Sequence, residues 1–196
     1  MKKLMIAALV ALTSLSALGA EHYQIDTRHA HAFVQFRISH MGFSWLYGRF
    51  NDFDGQFVFD PESPENSSAS VVIEAASVDT NNAARDDHLR SDDFLDVSNH
   101  PQARFQSTAF EARDDGSFLL TGDFTLRGVT RAIEIEVEEV GAGEDPWGGF
   151  RRGFSGTTTL KLADYGIDFD LGPAATEVEI TLSMEGVRRE ATEDEA

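Results

Sequence analysis

The alternation of apolar and polar positions describes a succession of strands broken once. From His31 to His40 the residues Ala32, Val34, Phe36 and Ile38 share one face and His31, Gln35, Arg37 and Ser39 the other, with Phe33 out of phase. Period-two patterning of this kind marks a half-buried antiparallel strand. After a break at Met41–Ser44, a second long strand is expected from Trp45 to Asp60, with Phe53, Gly55, Phe57 and Phe59 on one face, and a third from Ser70 to Val78. Strands resume at Ala103, where Ala103, Phe105, Ser107 and Ala109 are in phase. The Asp115-Gly116 step suits a tight hairpin, after which Phe118, Leu120, Gly122, Phe124 and Leu126 continue the apolar face to a turn at Gly128–Thr130. Ile133, Ile135 and Val137 alternate with Glu134, Glu136 and Glu138, and Gly141–Gly149 reads as a loop. Phe154, Gly156, Thr158, Leu160 and Leu162 share the next face, and Val178, Ile180, Leu182 and Met184 the last.

The exception is Asp79–Pro101, DTNNAARDDHLRSDDFLDVSNHP, which carries charge pairs and helical punctuation instead of alternation. A connection of this length in a compact β domain is uncommon and usually functional or disordered; it reads as a lid or rim. About eight strands with hairpin links favour up-and-down antiparallel order, and closure removes the edges that long strands otherwise expose. The expected fold is therefore all-β: an eight-stranded antiparallel barrel with one long connection, about 79–101, containing short helical turns.

The expected inward set is rich in aromatic residues, with 15 Phe against 3 Tyr and 2 Trp in the whole chain. A small eight-stranded barrel is either filled by its own side chains or holds one ligand. Gly122, Ser107, Gly156 and Ala109 on the same face would leave room for a ligand, but composition alone leaves a solid core open.

Lys2 and Lys3, an apolar run from Leu4 to about Leu18, then Gly19 and Ala20 form an export-signal pattern, with cleavage expected after Ala20. The apolar run is too short to span a bilayer, and no second one reaches that length. This organises the chain as a leader over 1–20, one domain over 21–190 and an acidic tail over 191–196, exported to the periplasm without stable membrane insertion. There is no cysteine, which excludes disulfides and thiolate metal sites. The formal charge of −18 argues against nucleic acid as a partner. It fits either a saline exterior or a bias of composition.

In Arg85-Asp-Asp-His88-Leu-Arg90, two guanidiniums and an imidazole could meet a polar head group at the barrel mouth. Against that stands a structural role: Ser91 capping a short helix whose N-terminus Asp92 and Asp93 favour, with Arg90 tying loop carboxylates. His29 and His31, with His40 nearby, raise a metal question, but an H-x-H pair needs two more ligands, and surface histidines are the reading adopted. No nucleophile elbow or glycine-rich phosphate loop is present, and the carboxylates are too numerous to single out a pair.

Several runs resemble one family, the YceI-like or polyisoprenoid-binding, lipocalin-like proteins, and most of all its periplasmic enterobacterial-type members. They are HAFVQF at 31–36, SWLYGRF at 44–50 with DFDG at 52–55, SVDTN at 77–81, RDDHLRS at 85–91 with DFL at 93–95, GDFTL at 122–126, GVT at 128–130, DPWGG at 145–149, LGPA at 171–174 and EGV at 185–187. The resemblance implies a lipocalin-like barrel that takes a long isoprenoid chain, a polyprenyl phosphate or a quinone tail, with a loose link to base or osmotic stress and no agreed enzymatic activity. On that reading no cofactor is required beyond the bound lipid. The expected lining is Phe36 and Ile38, Phe57 and Phe59, Phe105, Phe118, Leu120 and Phe124, Ile135, Phe154 and Leu160, Ile180 and Leu182, with Arg85, His88 and Arg90 at the head group. Three functions stay open: a carrier of an isoprenoid lipid, a redox or enzymatic partner acting on a bound quinone, and a solid-core stress protein without ligand. Pairing of two copies is also open.

Overall fold

The computed structural model describes residues 19–189. The expected leader lies outside the described residues except for Gly19 and Ala20, and the acidic tail at 191–196 lies outside them altogether. One sheet contains β1 (Glu21–Ile25), β2 (Phe33–His40), β3 (Ser44–Phe50), β4 (Phe53–Phe59), β5 (Ser68–Glu74), β6 (Val78–Asp79), β7 (Gln102–Ala112), β8 (Phe118–Leu126), β9 (Val129–Glu144), β10 (Phe150–Lys161) and β11 (Glu177–Arg188). The only α-helix among the described residues is α1 (Ala83–Arg90).

These strands make a closed antiparallel barrel of eight staves, because three staves are broken. β11 pairs with β2 over Val178–Ser183 and with β1 over Gly186–Arg188, so β1 and β2 form one interrupted stave. β3 and β4 form the next, broken at Asn51-Asp52, and β5 and β6 the third, broken by a 3-10 turn at Ala75–Ser77. The single strand expected from Trp45 to Asp60 is thus two, and β1 was not anticipated. Its five residues are too few for a period to stand out. β9 runs on to Glu144, shortening the loop expected from Gly141 to 145–149. There the Asp145 carboxylate accepts from the amides of Trp147 and Gly149 at 2.9 and 2.8 Å.

Two expectations about local structure are corrected. Ser91 does not start a helix: Asn82 caps the N-terminus of α1, its side chain accepting from the Arg85 amide at 3.0 Å. Ser91 closes the C-terminus, its hydroxyl donating to the His88 carbonyl at 2.7 Å. Asp92 and Asp93 come after the helix. In β7 the ladder slips between Ser107 and Ala109, and Thr108 is the extra residue. A bulge of one residue reverses the phase of the strand beyond it, so Phe110 is buried where Ala109 was expected to face inward.

The inward glycines serve mainly as seats for phenylalanine rings. A Cβ on Gly48 would lie 2.3 Å from the Phe36 ring, one on Gly122 2.4 Å from Phe105, and one on Gly186 2.5 Å from Phe57. The space expected at Gly122 is therefore occupied by protein. Core residues at one end include Tyr23, Phe57, Phe59 and Phe110, while Val78, Phe94, Leu95 and Ile167 form a second cluster under the lid at the other.

Gly48→Ala is expected to cost about 1–3 kcal/mol in chemical denaturation, because the Phe36 ring stands where the methyl must go. In the double variant with Phe36→Leu that cost should largely disappear. Additive losses in the double-mutant cycle would refute the seat.

Candidate functional site

The barrel encloses an elongated cavity of about 730 Å³, within the range of ligand pockets. Its two ends differ. At the β1 end, Arg152 lies on the inward parity of β10, buried, with its guanidinium 4.4 Å from the centre of the Phe59 ring. It pairs with Glu21 at 3.2 Å and with Glu139, and it donates to Tyr23 Oη at 3.2 Å. Tyr23 stacks on Phe57 at 4.7 Å between ring centres, and Phe59, Phe110, Phe118 and Phe154 complete an aromatic floor. Burial pushes the Glu21 carboxyl up, but hydrogen bonds from Tyr23 and Arg188 and the charge of Arg152 outweigh it and hold Glu21 below its ordinary value.

The wall above the floor is apolar. Of the lining expected from sequence, Phe36 and Ile38 reach the cavity from β2, Phe57 and Phe59 from β4, and Phe105 from β7. Leu120 and Phe124 reach it from β8, Ile135 from β9, Phe154 and Leu160 from β10, and Ile180 and Leu182 from β11. Phe118 does not line it; its ring stacks on Phe110 at 4.8 Å within the floor. Gly156 lines the cavity as expected, whereas Ser107 does not: its hydroxyl accepts from the Ala69 amide at 2.8 Å.

The other end is the mouth. Arg85, His88 and Leu89 of α1 face the β2–β3 turn, from which His40 and Met41 line the cavity, and Phe169–Gly172 of the β10–β11 connection. Arg85 donates to the hydroxyl and carbonyl of Thr80, both at 2.7 Å, and has no carboxylate partner among the described residues. His88 meets Asp93 at 2.8 Å and lies edge-on to Phe94 and Phe169, at 4.9 and 5.1 Å between centres. Arg90 points elsewhere. It donates to the carbonyls of Ala76 and Val78 at 2.8 and 2.9 Å and to Asp87 at 3.1 Å, tying α1 to the wall. A rigid cation whose own donors are filled by neutral acceptors on one side retains charge for an anionic or strongly polar group. Met41, Phe94, Phe169 and Leu171 went unread in the sequence because they lie in turns and loops where no period applies, and Leu89 because its helix is only eight residues long.

His29 and His31 both engage the buried carboxylate of Asp26, at 2.8 and 3.1 Å. Asp26, His31 and Glu185 converge closely enough to suggest a metal set, but Arg151 pairs with both Asp26 and Glu185 and supplies the cation there. Burial alone would raise the Asp26 carboxyl; the hydrogen bonds from Arg151, His29 and His31 hold it far below the usual carboxylate range.

Comparison with known proteins finds a match to the YceI-like domain over residues 23–186. A UPF0312 protein of Pseudomonas aeruginosa (strain LESB58) is 52% identical over 192 residues, covering 96% of this chain and all of the relative. Among solved structures, BcnA of Burkholderia cenocepacia superposes with a TM-score of 0.74 at 24% identity, over 82% of this chain and 98% of that one. A polyisoprenoid binding domain from Saccharophagus degradans, implicated in plant cell wall breakdown, superposes with a TM-score of 0.62 at 17% identity, over 85% and 98%. At these identities the two structures speak to the fold.

Arg152→Ala should destabilise the protein by about 3 kcal/mol in urea titration, because it leaves Glu139 without a cation and Glu21 with Arg188 alone at the floor. A loss below about 1 kcal/mol would mean that water already screens the pair. For Asp26 the folded state depresses the carboxyl, so its contribution is present above the unfolded value of about 4 and fades as pH falls toward the folded one. Asp26→Asn should therefore be less stable at pH 7, with the gap to the parent holding down to about pH 5 and narrowing below that as pH falls to about 3. A gap independent of pH would refute the assignment.

Proposed function

The chain belongs to the YceI-like family, and from that premise we propose that it is a periplasmic carrier that sequesters one long-chain isoprenoid lipid, a polyprenyl phosphate or an isoprenoid quinone. The observation that carries this reading is the cavity: about 730 Å³, closed by an aromatic floor and apolar along its wall. Its ionisable groups, Arg85, His88, His40 and Asp170, stand at one end. Such a shape suits a molecule that is apolar for most of its length and polar at one tip. Each buried methylene contributes about 0.8 kcal/mol, roughly fourfold in affinity, so the chain supplies the binding energy. Arg85 and His88 supply orientation, since a head group left without partners at an apolar entrance is penalised. The polyisoprenoid-binding name of the Saccharophagus degradans domain agrees with the ligand class. Periplasmic residence rests on the leader pattern, and a role as a lipid buffer in base or osmotic stress rests on the family resemblance.

A solid-core protein acting through its surface does not accommodate this cavity. A redox or enzymatic partner presenting a bound quinone would use the same cavity and the same mouth, with His88 as the titratable group beside the head. It differs by requiring turnover that His88→Ala abolishes.

Extraction of protein purified from a periplasmic fraction, followed by mass spectrometry, should recover a prenyl lipid. In a series of prenyl phosphates, affinity should rise with each added unit and then level off when the cavity is full. Leu182→Trp, which narrows the cavity, should bring the plateau to a shorter chain, and Arg85→Leu should weaken the phosphates while leaving the prenyl alcohols nearly unchanged. Affinity independent of chain length, or no binding at all, would refute the carrier reading.

A further inference from the structure

The largest exposed apolar side chains are not scattered. Among the described residues eight large hydrophobics are exposed; two of them, Met41 and Phe169, line the cavity mouth, and three more, Phe43, Trp45 and Tyr47, follow Met41 along the same hairpin. Four belong to the β2–β3 hairpin, whose turn approaches the β10–β11 connection at Gly42, where a Cβ would lie 3.9 Å from Ala174. Met41 and Phe169 line the cavity while remaining 62% and 42% exposed, so the apolar wall passes without interruption onto the outer surface. Phe43, at the tip, is 84% exposed. Met41 also has φ of +54°, a left-handed conformation that a turn normally gives to Asn, Asp or Gly. The hairpin thus accepts backbone strain with an exposed methionine at its tip.

Charge respects the same boundary. The chain carries 34 acidic residues, yet from Thr27 to Asn51 there is none. Two arginines of that stretch are neutralised from neighbouring strands, Arg37 by Glu179 at 2.6 Å and Arg49 by Asp79 at 3.6 Å. Asp168 and Asp170 flank Phe169 on the facing loop. Arg37 also lies over the Trp45 ring at 4.3 Å. The hairpin side of the lip is therefore apolar, aromatic and close to neutral, the acidic residues standing on the facing loop and on a body that would be repelled by an anionic surface. Beyond the mouth, β3 lacks a second neighbour along Ser44–Gly48, since β6 reaches only Arg49 and Phe50. The side of the hairpin that faces α1 is thus free of ladder constraints.

We propose that this lip docks on the surface of a zwitterionic lipid bilayer, with Phe43 and Met41 entering the acyl boundary and Trp45 and Tyr47 at head-group level, so that the cavity opens directly onto the membrane. Tryptophan and tyrosine favour that level because one end of each ring is apolar and the other polar. An exposed apolar patch continuous with a binding cavity marks a contact surface. The proposal rests on the carrier reading for its purpose, but docking is measured separately from cavity binding.

The two tryptophans provide the test, because Trp147 lies in the β9–β10 turn at the opposite end of the barrel and is 80% exposed. Single-tryptophan forms, Trp147→Phe and Trp45→Phe, are mixed with phosphatidylcholine–phosphatidylethanolamine vesicles carrying brominated acyl chains. Trp45 emission should shift to the blue and be quenched, while Trp147 emission stays unchanged. Phe43→Ser, in the form that retains Trp45, should weaken vesicle binding by at least about tenfold, and Phe43→Leu should restore most of it. Equal quenching of both tryptophans, or of neither, overturns the proposal. So does sedimentation showing that Phe43→Ser breaks up a dimer while vesicles leave Trp45 unquenched, which would make the lip a contact between two copies. Prenyl-phosphate binding in vesicle-free solution separates the two readings. Its loss with quenching intact refutes the carrier alone, and its survival without quenching refutes docking alone.

Discussion

The barrel closes only because β11 is paired on one side by two short strands in tandem. β2 covers its first half and β1 its last three residues, and the interruption between them falls opposite Met184 and Glu185. An open seam there would expose ladder groups from the interior to the surface. Asp26 closes it. Its amide donates to the Glu185 carbonyl at 2.8 Å, and its carboxylate gathers Arg151, His29 and His31 from three directions. The two histidines, the most suggestive metal-like pair in the sequence, are committed to this joint. What holds the stave together there is a buried anion surrounded by donors.

The same matching of charge shapes the interior. Both ends of the tunnel contain an arginine, but in opposite circumstances. Arg152 is matched by two carboxylates, a tyrosine hydroxyl and a ring face, so it acts as a stopper without residual demand for a partner. Arg85 has only the neutral oxygens of Thr80. A ligand sliding into such a barrel passes an unsaturated cation at the entrance and ends on phenylalanine rings at the floor, with the saturated cation behind them. That asymmetry gives the cavity a direction.

Much of this was legible from alternation. Period two located the inward faces of β2, β4, β8, β9, β10 and β11, because those strands keep their phase over the stretches read, β9 slipping only at Val140, and twelve of the thirteen lining residues read that way do reach the cavity. Phe118 has the right parity but is the first residue of β8, at the floor, where depth, not parity, decides. Alternation failed where an extra residue intervenes, as at Thr108, and where strands are too short to show a period, as in β1. Arg152 and Glu139 were readable in principle. Each continues the parity of an apolar face, Phe154 and Gly156 in one case and Ile135 and Val137 in the other, and a charge in that phase at a strand end points to a buried pair. The role of Arg90 was not readable, since its acceptors are backbone carbonyls of Ala76 and Val78, which no sequence pattern records.

For a barrel that carries an isoprenoid with its head at Arg85 and His88, as proposed above, the energetics set a further requirement. Moving a chain from water into the barrel is strongly favourable, but such a lipid resides in a bilayer, whose interior is as apolar as the wall formed by Leu120, Ile135 and Leu182. Between two apolar phases the hydrophobic term nearly cancels. Extraction must then be decided by what differs: close packing against the Phe-rich wall, and whatever Arg85 and His88 offer the head group beyond what interfacial water offers it. The barrier is a separate matter, because a chain passing through water would expose every methylene at about 0.8 kcal/mol each. A carrier of nearly balanced affinity can therefore work at a useful rate only if its mouth meets the membrane without an intervening water layer. Apolar side chains at the rim serve that end better than any strengthening of the cavity itself.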